Sequence, residues 1–280
     1  MRGSSHGQFL PVTHAPTRGV MTPALESVLV KIDRAKVHIA DLNTEIGLLI
    51  DSCDKGTRGK GNPKTREYIL WLDITPIVPP TISALAGDAI HNLRSALDHL
   101  AYQLVKARGT PTRDPTQNTT FPILETPPTP NRFGRFPPPQ IAPSVSREVR
   151  EALAELQPYK RSQPHLHPLA VLHNLDIVDK HRQLLLAVVG VSGFAWMGDV
   201  EMSGFNPGPY KAGDEIARFK PGPGDLPPNF QPNVTFQVDI NESRIRGVIG
   251  TLGGPADYLS KYPLAYIENE VIPRLSSFLS

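Results

Sequence analysis

The chain has 280 residues, more than a typical single core of roughly 100–200, so one large domain with insertions or two small ones are expected. Hydrophobic residues make up 39%, which excludes a wholly disordered or fibrous chain, while the 30 prolines, about twice the usual share, predict long irregular connections. A formal net charge of +2 is too weak to announce nucleic-acid binding, and one cysteine, Cys53, excludes an internal disulfide and a multi-cysteine zinc site.

No stretch approaches the roughly 18 consecutive apolar residues of a membrane span; the longest, Leu184 to Val191, is interrupted by Gly190. The N-terminus lacks the apolar core of a secretory signal, so a cytoplasmic protein without membrane contact is expected. Residues 1 to 20 lack periodicity and read as a loose tail. From Pro23 onward, Leu25, Val28, Leu29, Ile32, Ile39, Leu42, Ile46 and Leu49 recur three and four apart. That spacing predicts a long amphipathic helix to about Asp51, which must pack against another helix. Asp54 to Arg66 is basic and broken by Gly and Pro, so an irregular loop is expected. Its Lys55, Arg58, Lys60, Lys64 and Arg66 form a candidate phosphate-binding loop, although the glycines do not have P-loop spacing.

Arg66 to Thr75 reads as a strand, and a second helix follows Pro79 and Pro80 to about Arg108, stopped by Gly109. Residues 110 to 143 are rich in proline and predict a long excursion containing Phe121, Pro122 and Ile123. Short helices are expected over Glu148 to Leu156 and from Pro168 to about Lys180. Candidate strands then run over Gln183 to Val191, Phe194 to Met202, Glu215 to Lys220 and Val234 to Ile240, with proline-rich connections between Pro207 and Pro232. Gly247 to Gly254 reads as a connection, and Pro255 to Leu279 as a closing helix bent or broken near Pro263 and Pro273.

The second helix carries the most chemical information. Its apolar sector holds Ile82, Ala86, Ala89, Leu93, Leu97, Leu100, Ala101 and Leu104; the remaining arc holds Asp88, His91, Asn92, Ser95, Asp98, His99 and Tyr102, with Arg94 at its border. A solvated face normally uses long charged helix formers, whereas this one uses Asp, His, Asn and Ser. One reading is a buried polar network in which Arg94 pairs with Asp98 one turn on. The other is a groove or subunit interface where Arg94 binds phosphate and His99 moves a proton.

The string from Arg94 to His99 (RSALDH) resembles the Arg-x4-His motif of the HEPN-like helical ribonucleases, which also lies within a long helix. The wider layout is similar to that of a widespread group of uncharacterised bacterial and phage proteins. Its fragments are Asn92-Leu93-Arg94, Leu97-Asp98-His99-Leu100, Phe121-Pro122-Ile123, Leu156-Gln157-Pro158-Tyr159, Leu172-His173-Asn174-Leu175 and Asp179-Lys180-His181-Arg182. The resemblance covers roughly residues 21 to 185. It implies a metal-independent endoribonuclease of toxin or defence type, without a cofactor, acting on RNA as a homodimer whose two motif helices meet, and with an antitoxin as a possible partner. Arg94 would orient the scissile phosphate, and His99 would assist attack by the ribose 2′-hydroxyl, leaving a cyclic phosphate. Ser95 departs from the Asn, Asp or His that many members place after the arginine. Several families of this type are non-catalytic, so an RNA-binding or protein-interaction module is the alternative the resemblance leaves open.

A second polar cluster, His173, Asp176, Asp179 and His181, lies on or just past the fourth helix. His173 and Asp176 are i,i+3 neighbours and could ligate a metal in a helical bundle, which gives a metal-dependent hydrolase as a further alternative. Capping and ion-pair roles for Asp179, Lys180 and Arg182 compete with it. If the two helices meet face to face, Arg94 could pair with Asp176 and the clusters would merge. No nucleophile elbow or dinucleotide glycine pattern is present. The expected architecture is α+β: a HEPN-like helical region over 21–182 with an inserted strand and Pro-rich loop, then a β-rich region over 183–280, a small mainly antiparallel sheet and a closing helix, packed on the first.

Overall fold

The three- and four-residue apolar spacing from Pro23 onward forms helix α1, Pro23–Lys55. The structure, a computed structural model, describes residues 23–62, 64–107, 119–129, 145–184, 186–195, 200–206, 208–222, 233–242 and 254–279. The expected tail over 1–20, most of the 110–143 excursion, part of the connections between Pro207 and Pro232, and most of Gly247 to Gly254 lie outside the described residues. Val28, Ile32, Ala35, Ile39, Leu42, Ile46 and Leu49 make the buried stripe of α1, and Cys53 extends it by one turn. That extra turn carries the helix past the expected end at Asp51.

α2, Pro80–Ala107, packs along α1 and buries Ile82, Ala86, Ala89, Ile90, Leu93, Leu97, Leu100 and Leu104. Each fully buried Leu or Ile contributes roughly 1.5–3 kcal/mol, so this helix pair anchors the core. α3, Arg147–Glu155, starts at an N-cap serine, Ser146, whose hydroxyl accepts the Val149 N–H. α4, Pro168–His181, starts with Pro168 at its first turn and with His167 as N-cap, the ring Nδ1 accepting the Leu169 N–H at 3.2 Å. α4 packs on α2. The approach is close because Gly87 has no side chain: the Asp179 carboxylate occupies the space a Cβ would need.

The basic segment expected as an irregular loop instead supplies the first strand and the turn of a hairpin, whose second strand falls within the strand expected over Arg66 to Thr75. β1, Thr57–Gly61, pairs antiparallel with β2, Tyr68–Leu72, and the Asn62 N–H donates to the Glu67 carbonyl where the strands meet the turn. Glycine in β1 has a packing reason, since the Tyr68 ring covers Gly59 where a Cβ would stand. The Asn62 side chain accepts the Lys64 N–H at 2.9 Å and stabilises the turn.

The remaining strands are β3, Leu186–Ala195; β4, Val200–Phe205; β5, Asp214–Pro221; and β6, Asn233–Ile240. The break expected after Val191 is a register irregularity within β3, between Gly190 and Phe194, so the next strand starts later than Phe194. Two antiparallel sheets result, one in the order β1-β2-β5-β4 and one pairing β3 with β6. Because β2 pairs with β5, the larger sheet draws strands from both sides of the expected division at residue 182. One apolar core joins the α1–α2 pair to Ile216 of β5, to Phe236 and Val238 of β6, and to the closing helix.

That closing helix, α5, runs without a break from Pro255–Leu259 through two π-helical stretches, Ser260–Leu264 and Ile267–Val271, to Ile272–Ser276. Of the bend or break expected near Pro263 and Pro273, the break does not occur. The wider π-turn accommodates a residue that has no N–H and would crowd the preceding turn of a regular helix. The chain is therefore mixed α+β, as the element pattern predicts.

Candidate functional site

Arg94, at the border of the polar arc, is buried with only 6% of its surface exposed. Its Nη1 stands 2.8 Å from Asp98 Oδ1 one helical turn on, an ion pair without hydrogen-bond geometry, and its Nη2 donates to the Phe121 carbonyl at 3.1 Å. The same Asp98 oxygen accepts the Phe121 N–H at 2.8 Å. The ion pair thus satisfies both main-chain groups of Phe121, whose side chain is buried in the core. Burial pushes the Asp98 carboxyl up, against the pull of Arg94 and the Phe121 N–H.

Gln157 continues the arrangement. Also buried, it donates from Nε2 to the carbonyls of Pro122 and Leu153 at 3.0 Å each and accepts the Leu124 N–H at 2.9 Å. The Tyr159 N–H donates to the Leu124 carbonyl at 3.1 Å, and Asn174 Nδ2 donates to Glu125 at 3.2 Å. Four of the fragments that carry the resemblance therefore converge on the extended segment from Phe121 to Glu125. Among the described residues no strand pairs with that segment, and side chains together with the Tyr159 N–H take the place of a ladder.

The second cluster meets the polar arc of α2. Asp176, whose side chain is 3% exposed, accepts Lys180 Nζ at 2.6 Å and lies 3.3 Å from His91 Nδ1. The pairing of Arg94 with Asp176 allowed by the sequence is not made. Asp98 lies one turn away on the same helix and takes the guanidinium, leaving Asp176 to His91 and Lys180. His173 is half-buried, with its Nδ1 buried and without a hydrogen bond. Burial, and then the nearby Arg94 charge, hold its imidazole below the usual histidine range. Burial also raises the Asp179 carboxyl, helped by Asp176 and Asp88. Arg94, Asp98, His173, Asp176 and Lys180 therefore sense one another's charge and form one polar network between α2 and α4.

The other candidates surround this network or lie outside it. Asn92, Ser95, His99 and Tyr102 are half-buried on α2; Asp88 is exposed, and its carbonyl accepts Asn92 Nδ2 at 2.8 Å. His181 is exposed at the end of α4 and is not brought to the network. Arg182, just beyond, makes a two-pronged pair with buried Glu242 at 2.6 and 3.0 Å. No group of three His, Cys, Asp or Glu among the described residues is placed to hold a metal ion.

The basic residues of the hairpin do not converge on a cradle. Arg58 is paired with Asp73 at 2.8 Å and stacks over Trp71, 4.8 Å from the ring centroid. Lys60 and Lys64 are exposed, and Arg66 donates to the Gly222 carbonyl at 3.0 Å. Lys55 ends α1, and its side chain lies outside the described residues. Sequence reasoning did not single out Gln157 and Lys180 as site residues. The signal for Gln157 was a polar residue between Leu156 and Pro158, both of which are buried. No protein-family model, curated protein or solved structure matches this chain.

Proposed function

We propose that this chain is a non-catalytic interaction module built on a HEPN-like helical pair, in which the Arg-x4-His helix serves as an internal clamp. The observation that carries this reading is the commitment of Arg94, buried between Asp98 and the Phe121 carbonyl. A guanidinium that turned outward to a phosphate would leave the half-buried Asp98 carboxylate and the Phe121 carbonyl without their partner, and a polar group so stranded costs about 1–3 kcal/mol. Local charge supports the same reading. Asp88, Asp98, Asp176 and Asp179 stand against Arg94 and Lys180, an excess of carboxylates that disfavours a polyanion such as RNA.

The competing reading is the toxin-type endoribonuclease with an antitoxin partner, for which half-buried His99 would serve as the proton-transfer group. Incubating the purified chain with mixed-sequence RNA, with and without a chelator, separates the two. The module reading expects no cleavage, and expects Arg94→Ala to lower unfolding stability by about 1–3 kcal/mol. Chelator-resistant cleavage abolished in His99→Ala at unchanged stability would establish the ribonuclease instead.

A further inference from the structure

The solvent face of α1 carries a second pattern, separate from the stripe that packs on α2. Val30, Arg34, Val37, Asp41, Thr44 and Leu48 are spaced four, three, four, three and four apart, and all six are exposed. Val30 is 55%, Val37 48% and Leu48 60% exposed, large values for aliphatic side chains in the middle of a long helix. A 4-3 spacing is the seam of a two-stranded coiled coil, in which alternate positions of one helix fill spaces on another. By helical winding this seam is centred on the side of α1 away from its core stripe.

We propose that this face of α1 is a self-association surface, on which a second copy of the chain packs its own α1 antiparallel about a two-fold axis. The charges between Val30 and Leu48 select that occupant and that direction. With Val30 level with Leu48 of the second copy, Val37 falls level with Asp41 and Arg34 with Thr44, and each layer recurs on the other side of the axis. Arg34 then lies one layer from the opposing Asp41, giving two symmetric ion pairs. On one flank of the seam, Lys31 faces the opposing Glu45, also twice, and His38 falls beside the axis. Lys31, Arg34, Asp41 and Glu45 have no ion-pair partner among the described residues, although other charges of the same helix, such as Lys36 with Glu268, are paired. A parallel arrangement would set Arg34 against Arg34 and Asp41 against Asp41, and is disfavoured by like charge. Only a self-complementary patch suits an isologous interface, in which each residue meets its counterpart's partner.

This inference is independent of the reading of the α2 network. The seam leaves out the α1 residues buried in the core, so such a dimer is not built on the Arg94 helix. The test is the solution mass of the full chain over a range of concentrations, by light scattering or sedimentation. A concentration-dependent dimer is expected. Arg34→Asp and Asp41→Arg should each weaken it at least tenfold, and the double variant should recover it, because both pairs re-form with reversed sign. Orientation is read by oxidising an equal mixture of Val30→Cys and Leu48→Cys chains, which should give the mixed cross-link. A monomer at every concentration, failure of the double exchange to restore association, or cross-linking mainly of Val30→Cys to itself would each overturn the proposal.

Discussion

His167 shows how one residue couples local structure to solution conditions. It caps α4 only through an unprotonated Nδ1, because that atom must accept the Leu169 N–H. Burial, with Arg161 nearby, brings its pKa down to about 4, and its ring packs edge-on against Tyr266 at 4.8 Å between centroids. The unfolded chain takes up this proton below about pH 6.5, while the folded chain resists until about pH 4. The unfolded state therefore binds more protons in that window, and stability falls as pH drops from about 6.5 to 4. The loss is of order 1–2 kcal/mol once solvent screening is allowed for. Denaturant midpoints measured at pH 7 and pH 5 should show it, and His167→Asn, which keeps a neutral cap, should flatten the dependence. An unchanged slope in the variant would assign the acid sensitivity to other groups.

At the scale of elements, α2 and α4 approach as closely as they do because of Gly87. The carboxylate of Asp179 fills the space above it, so any side chain at 87 must push α4 away or turn Asp179 out. Gly87→Ala would gain helix propensity worth about 1 kcal/mol on an isolated helix. Here it is expected to destabilise the protein by about 1–3 kcal/mol through overpacking. Pairing it with Asp179→Ala, which clears the space, should restore part of the loss. Thermal or denaturant unfolding of the single and double variants measures this, and additive effects would show that the two residues do not touch. The same packing explains why the polar network was only partly legible. The i,i+4 pairing of Arg94 with Asp98 follows from spacing along one helix and was read from sequence. The partners of Asp176 depend on the rotation of α4 against α2, which no local pattern encodes.

Across the whole molecule, the expected division at residue 182 is crossed by the larger sheet. The β1–β2 hairpin leans on β5, and Arg182 is locked to Glu242 beyond β6. A fragment ending at residue 182 would expose the β2 edge and the apolar faces of α1 and α2 that meet the β strands and α5. It is expected to lose cooperative unfolding, as read by circular dichroism or amide exchange; a sharp transition like that of the full chain would show that the helical part folds alone. Of the hairpin, β2 falls within the strand expected over Arg66 to Thr75, whereas β1 escaped sequence reasoning because Gly59, Gly61 and Lys60 have low strand propensity, and it exists through pairing with β2 and the cover of Tyr68.

Periodicity alone determined the long helices, the buried stripe of α1, the apolar sector of α2 and the presence of antiparallel strands after α4. Each is a repeat of burial along one element, and burial repeats are written locally in residue type. Tertiary structure decided that Arg94 is sealed against Phe121, that the four motif fragments clasp one extended segment, and that β2 joins β5. Those outcomes depend on groups far apart in the chain satisfying one another's hydrogen bonds and charges once water is excluded, a condition that only the assembled packing imposes.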